Sequence, residues 1–210
     1  MVIKSISDFY SFSLYIFDLD NTIYKEEDYL FEAYKNIASS IVTKIPSLHE
    51  GVLYRSLRKL YEAEGRTGLF NKFLSPFDPD HHYLKDCLHI LRTFRPERKF
   101  KIFPGIKTIL EELVGREKPV YILTNGNVEQ QRNKINNIEW EELDRSIGFV
   151  FANEFEPKPS PAGVEYILNN SGIDKNKTVL IGDSEEDLIC AKNSGITFTD
   201  VKVISGLSVA

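Results

Sequence analysis

Four short apolar runs, far apart in the chain, constrain its fold more than any other feature. They are Leu14-Tyr15-Ile16-Phe17, Val120-Tyr121-Ile122-Leu123, Ile147-Gly148-Phe149-Val150-Phe151 and Thr178-Val179-Leu180-Ile181. Each is too short for an ordinary helix and lacks the apolar–polar alternation of a strand with one wet face. Each therefore predicts a strand covered on both sides, as in a parallel sheet. A fifth run, Thr197 to Ile204, fits the same role. Helical stretches alternate with the later runs. Pro104-Gly105 opens one that reaches about Val114, and Val128 to about Asn136 is another. Ser160-Pro161 is a cap-then-proline start for a helix that stops near Gly172. Ser184 opens one that ends at Gly195, a good residue for a left-handed helix stop. This alternation predicts an α/β fold, a parallel sheet with helices on both faces.

The stretch between the first and second runs breaks the pattern. Residues 25–98 contain no convincing strand and read as helices at about Tyr29–Ile45, Leu48–Glu64, Leu69–Leu74 and Asp80–Phe94. Ser75-Pro76-Phe77-Asp78-Pro79 is a loop, because two prolines so close cannot continue a helix. The expected organisation is a core domain made of residues 1–24 and 99–210, with an all-helical insertion at 25–98. An insertion just after the first strand lies over the carboxyl ends of the strands, where open α/β sheets place ligands, so it reads as a cap.

Charge and composition exclude several classes of partner. A net charge of −5 gives no general attraction to nucleic acid polymers or anionic membranes, so any phosphate must be held by a local site. No apolar run approaches the roughly 20 residues of a membrane span. The segment MVIKSISDFYSF has no long apolar stretch and no small-residue cleavage pattern, and so no signal-peptide character. Cys87 and Cys190 have no metal-like spacing and read as small buried residues in a reducing compartment. The expected location is the cytoplasm. All four histidines, His49, His81, His82 and His89, fall in the insertion, and neighbours such as His81 and His82 point apart on a helix.

Chemistry collects at the ends of the apolar runs. After the first run, Asp18 and Asp20 stand two residues apart, so on extended chain both point the same way. Two close carboxylates repel, and either a hard cation relieves them or one stays protonated and serves as an acid. After the second run comes Thr124-Asn125-Gly126, a hydroxyl and backbone N–H groups just before a helix, which suits an anion. After the third comes Glu156-Pro157-Lys158-Pro159, an ammonium on a restricted backbone. After the fourth come Asp183 and, one helical turn on, Asp187. Singly these are an acidic turn, a generic turn, a solvated lysine and a helix cap. Jointly, all four at the ends of successive strands argue for one site.

On these residues the chain resembles the haloacid dehalogenase superfamily of phosphohydrolases. Asp18-Leu19-Asp20-Asn21-Thr22 matches the first motif, with Tyr24 beyond it. Thr124 matches the second, Lys158 the third, and Gly182-Asp183 with Asp187 the fourth. The resemblance implies a Rossmann-like sheet of order 3-2-1-4-5 and a type 1 cap. It implies that Asp18 is the nucleophile and Asp20 the general acid and base. It also implies that Thr124, Asn125 and Lys158 bind the phosphate. The metal residues it implies for Mg²⁺ are Asp18, Asp20 (through its carbonyl), Asp183 and Asp187, the last orienting Lys158 or a metal-bound water. A carboxylate at Asp20 separates the chain from the dehalogenase branch, whose carbon–halogen substrates need no leaving-group acid. In the insertion, Arg66, bracketed by Gly65 and Gly68, is a candidate substrate contact, and this stretch is similar to pyrimidine 5′-nucleotidase-like members. The expected substrate is a small phosphorylated metabolite, a nucleoside monophosphate or sugar phosphate, and the expected state a monomer or weak homodimer. The rival readings are a phosphoglucomutase-type phosphotransferase and a binding module without activity.

Overall fold

The computed structural model describes residues 5–207, so the first four and last three positions of the expected core range lie outside the described residues. The helices and strands run in chain order as α1 (Ile6–Tyr10), β1 (Leu14–Phe17), α2 (Glu26–Lys44), α3 (Glu50–Glu64), α4 (Leu69–Leu74), α5 (Leu84–Thr93), α6 (Pro104–Gly115), β2 (Val120–Thr124), α7 (Val128–Asn136), β3 (Ile147–Phe151), α8 (Ala162–Ser171), β4 (Thr178–Gly182), α9 (Glu185–Ser194), β5 (Thr197–Asp200) and α10 (Val201–Leu207). They fall into two compact units. One comprises the chain up to Glu26, Lys99–Gln131 and everything from Ile138 on; the other comprises Glu27–Arg98 and Arg132–Asn137.

In the first unit the five strands form one parallel sheet of order β3-β2-β1-β4-β5. Every residue of β1 and β4 is buried, as continuous apolar strands require. Alternate residues serve opposite faces. Leu14 and Ile16 of β1 pack with Leu123 and Leu180 against Val164 and Ile167 of α8 and Cys190 and Ala191 of α9. Tyr15 faces the other way, and its hydroxyl donates to Phe9 O and Phe12 O at 2.9 and 3.1 Å, beside α1. Each fully buried Leu, Ile or Phe contributes about 1.5–3 kcal/mol, so the strands hold the sheet chiefly by burial. β1 is central, and β2 and β4 flank it on either side. The chain therefore reverses direction across the sheet at the carboxyl end of β1, where such sheets open a crevice.

Three local expectations need correction. The fifth run is strand only over Thr197–Asp200. Asp200 Oδ1 then accepts the Lys202 N–H at 2.7 Å, which favours a turn into α10. Val201 and Ile204 bury themselves at helical spacing, so tertiary packing overrides their β-branched preference. The helix expected from Ser160-Pro161 begins at Ala162, with Pro161 at the cap position and Ser160 Oγ accepting the Ala162 N–H at 3.3 Å. The helix expected from Asp80 begins only at Leu84, because His81 takes φ 55°. Among the described residues no helix is long and apolar enough to cross a membrane.

The second unit is helical. Tyr29, Leu30, Ala33, Tyr34, Ile37, Ala38 and Ile41 recur on α2 at three- and four-residue steps and are all buried. Tyr34 meets the rings of Tyr61 and Phe70, each at 6.2 Å between centroids. The turn before α5 is organised by Asp78. Its Oδ1 accepts the His82 N–H at 3.1 Å and lies 3.0 Å from His82 Nδ1, while its Oδ2 accepts the Tyr83 N–H at 2.9 Å.

Candidate active site

The sheet ladder carries Asp18 one residue past β1, where its N–H donates to Ile181 O at 2.8 Å. The chain then folds back tightly. Asn21 adopts φ 59°, a left-handed conformation that asparagine tolerates, and its N–H donates to Tyr24 O at 2.9 Å. That turn brings Tyr24 beside Asp20, and the Tyr24 hydroxyl donates to Asp20 Oδ1 at 3.0 Å.

Lys158 is the hub. Its buried ammonium donates to Asp18 Oδ1 at 2.5 Å, Asp187 Oδ1 at 2.6 Å and Leu123 O at 3.1 Å, one acceptor for each of its three hydrogens. Its backbone is held by Asn125. The Lys158 N–H donates to Asn125 Oδ1 and Asn125 Nδ2 donates to Lys158 O, both at 2.8 Å. The same Nδ2 donates to Glu186 Oε2 at 3.1 Å. The Asn125 side chain thus clamps the Lys158 loop, a role not read from the sequence.

Asp187 closes the capping box of α9. Its Oδ2 accepts from Ser184 Oγ at 2.6 Å and from the Ser184 N–H at 3.2 Å, and Ser184 Oγ accepts the Asp187 N–H at 3.2 Å. This geometry needs glycine at position 182, since a β-carbon there would stand 2.4 Å from Asp187 Oδ2. Asp18, Asp183 and Asp187 each place a carboxylate oxygen within 4.8 Å of the others; Asp18 and Asp187 are buried and Asp183 is exposed.

The electrostatics of this cluster follow from burial. Desolvation pushes the Asp18 carboxyl up to about 7, with Lys158 opposing and Asp187 and Asp20 adding. Desolvation alone would lower the Lys158 ammonium, but Asp18 and Asp187 outweigh it and hold it above the usual lysine range. Asp183 is raised too, by burial first and then by Asp187. One ammonium does not neutralise so many carboxylates. An all-oxygen donor set with surplus negative charge and raised carboxyl groups fits a hard divalent cation.

Thr124 ends β2 with its hydroxyl buried, and its Oγ1 accepts from Gln131 Nε2 at 2.7 Å. The Gly126 N–H donates to Asn153 Oδ1 at 2.7 Å. Gln131 and Asn153 carried no signal in the sequence, since both lie in segments dense in polar residues. Arg66 belongs to the second unit, in the wall of a 190 Å³ cavity lined otherwise by residues such as Leu84, Leu88 and Leu91.

Comparisons with known proteins give the family of the chain and relatives of its fold. Residues 15–201 match the family described as haloacid dehalogenase-like hydrolase. A phosphoglycolate phosphatase of Pseudomonas syringae pv. syringae is 21% identical over 192 residues, which are 87% of this chain and 66% of that protein. This chain thus spans just under two thirds of that relative's length. Among solved structures, a haloacid dehalogenase superfamily hydrolase of Geobacter sulfurreducens superposes with a TM-score of 0.62 at 18% identity, covering 90% of this chain and 86% of the other. The CbbY protein of Rhodobacter sphaeroides, crystallised with xylulose-(1,5)bisphosphate, gives a TM-score of 0.58 at 16% identity, covering 90% and 85%.

Proposed function

The chain belongs to the haloacid dehalogenase-like hydrolases, and from that premise we propose that it hydrolyses a small phosphomonoester through an aspartyl-phosphate on Asp18. The observation that carries this reading is the three-way grip of Lys158 on Asp18, Asp187 and the Leu123 carbonyl at the carboxyl end of the central strand. Phosphoryl transfer needs mostly positioning and charge neutralisation. Asp18 attacks phosphorus and forms the covalent intermediate. Asp20 protonates the leaving alkoxide and then takes the proton of the water that opens the intermediate. Proton transfer of this kind is worth roughly 10²–10⁴-fold. Lys158 offsets the phosphate charge beside the nucleophile, and the Thr124 hydroxyl and Asn125 N–H hold phosphate oxygens. Asp187 serves Lys158, since both of its oxygens are already engaged. Mg²⁺ would be held by the carboxylates of Asp18 and Asp183 and the carbonyl of Asp20, and would screen the negative substrate from the negative nucleophile.

Residues 25–98 read as a cap that sets substrate choice, a reading supported by their insertion in the chain directly after the Asp18–Asp20 segment. The curated phosphatase relative and the sugar bisphosphate held by the CbbY protein both support a small phosphorylated metabolite as substrate. The test is phosphate release with Mg²⁺ over phosphoglycolate, sugar phosphates and nucleoside monophosphates. Asp18→Asn is expected to abolish turnover and Asp20→Asn nearly to do so. Full activity in Asp18→Asn would refute the mechanism, and sugar phosphate interconversion without release would replace it by a mutase.

A further inference from the structure

We propose that Gln131 is the positioning residue for Asp20, tying the proton-transfer carboxylate to the phosphate-side loop at Thr124 and Asn125; this rests on the hydrolase reading above. Gln131 lies on α7, seven positions beyond Thr124 in the chain, and is only 2% exposed. Its Nε2 donates to Asn125 O at 2.6 Å and Thr124 Oγ1 at 2.7 Å, and reaches Asp20 Oδ2 at 3.2 Å. Two hydrogens thus serve three acceptors, so the amide is shared between the loop and the carboxylate. Its Oε1 is buried with no hydrogen-bond partner.

That orphaned oxygen is informative. A buried acceptor without a donor costs stability, and a methionine of similar length would fill the space without it. What only the amide supplies is N–H groups directed at Asp20 and at the Thr124–Asn125 turn. With the Tyr24 hydroxyl on Oδ1 and Gln131 on Oδ2, both oxygens of Asp20 are held, and the plane of the carboxyl group is set.

Position matters to Asp20 because its proton must meet the leaving oxygen as the bond to phosphorus breaks. In the first step an Asp18 oxygen bonds to phosphorus, the ester P–O bond breaks, and the Asp20 proton passes to the departing alkoxide. In the second, water attacks phosphorus, Asp20 takes its proton, and the Asp18–phosphorus bond breaks. The first transfer counts most when the leaving alkoxide is strongly basic and least when it is a stable phenolate. A misplaced acid therefore leaves a signature in leaving-group dependence that a loosened fold does not.

The experiment compares kcat/KM for an alkyl phosphate substrate and for p-nitrophenyl phosphate in the wild type and in Gln131→Met. The expected result is a loss of about tenfold or more on the alkyl ester, a part of the roughly 10²–10⁴-fold that the proton transfer as a whole is worth. The loss on the aryl ester is expected to be several times smaller. Gln131→Leu, also uncharged, removes the donor without placing a second carboxylate beside Asp20 and should show the same selectivity if Gln131→Met folds poorly. Equal losses on the two esters in the folded variant, or no loss, would reduce Gln131 to a structural support and overturn the proposal. The alkyl ester is the best substrate among phosphoglycolate, the sugar phosphates and the nucleoside monophosphates; a wild type that releases phosphate from none of them would fail the hydrolase reading itself, and this role with it.

Discussion

Asp18 in the sheet unit and Asp78 in the helical unit are both buried carboxylates, 8% and 4% exposed, yet their surroundings push them in opposite directions. Burial raises Asp18 to about 7, and the carboxylates of Asp187 and Asp20 add to that push against the pull of Lys158. Asp78 also feels burial, but the Tyr83 N–H, the His82 ring and the His82 N–H outweigh it and hold its carboxyl below the ordinary range. The difference separates two uses of a buried charge. Asp78 is a satisfied acceptor that fixes a turn before a helix. Asp18 is left under-compensated, which suits the nucleophile role proposed for it beside a cation.

The comparison breaks most severely at Lys158. Lys158→Met removes the ammonium paired with Asp18 and Asp187, and deleting one partner of a buried ion pair costs about 3–5 kcal/mol. Urea unfolding should show that loss, together with abolished turnover. A stability within experimental error of the wild type would mean that the carboxylates are not charged in the folded protein. The next effect is smaller and has the opposite sign. Mg²⁺ at a hundredfold excess over its Kd should stabilise the wild type by about 2.7 kcal/mol. Asp183→Ala should lose most of that gain, whereas Asp78→Asn should keep all of it.

How much of this was legible depends on the range of the interactions involved. The strands followed from short runs of apolar residues, which local composition carries, whereas their order came only through the family resemblance of the motif residues that follow them. Asp18 and Asp183 stood out because they follow β1 and β4 directly, Lys158 because two prolines flank it, and Asp187 because it lies one helical turn beyond Asp183. Gln131 was not, because its partner Asp20 is 111 positions away and α7 around it is mostly polar. The clamp of Asn125 on Lys158 was hidden in the same way, 33 positions apart. The helix α10 was misread as strand because Val201, Val203 and Ile204 favour strands until packing decides otherwise.

A sharper test sets the two carboxylates against each other by pH, without divalent cation. Asp18 has a folded-state carboxyl raised from the ordinary range, near 4, to about 7. Its contribution to stability is therefore fully present below about pH 4 and is lost as pH rises through about 7. Asn cannot titrate, so Asp18→Asn should remove this decline. At neutral pH in EDTA the variant should match or exceed the wild type by about 1 kcal/mol, part of the gain being offset because Lys158 keeps a weaker acceptor. A wild type that gains stability as pH rises from 5 to 8, with Asp18→Asn flat, would reverse the sign and sink the comparison.

Asp78 should behave in the opposite sense and with the smallest amplitude. Its folded-state carboxyl is depressed, so its contribution is present above the ordinary carboxylate range and fades as pH falls below it. Asp78→Asn keeps an oxygen for one N–H but offers no second acceptor, so either the His82 or the Tyr83 N–H loses its bond. The urea midpoint should fall modestly at neutral pH, with an unchanged slope, because the turn loosens without altering how much surface unfolding exposes. Turnover should be untouched. A large loss of activity in Asp78→Asn would show that the two carboxylates are coupled and that the helical unit does more than the substrate choice proposed for it.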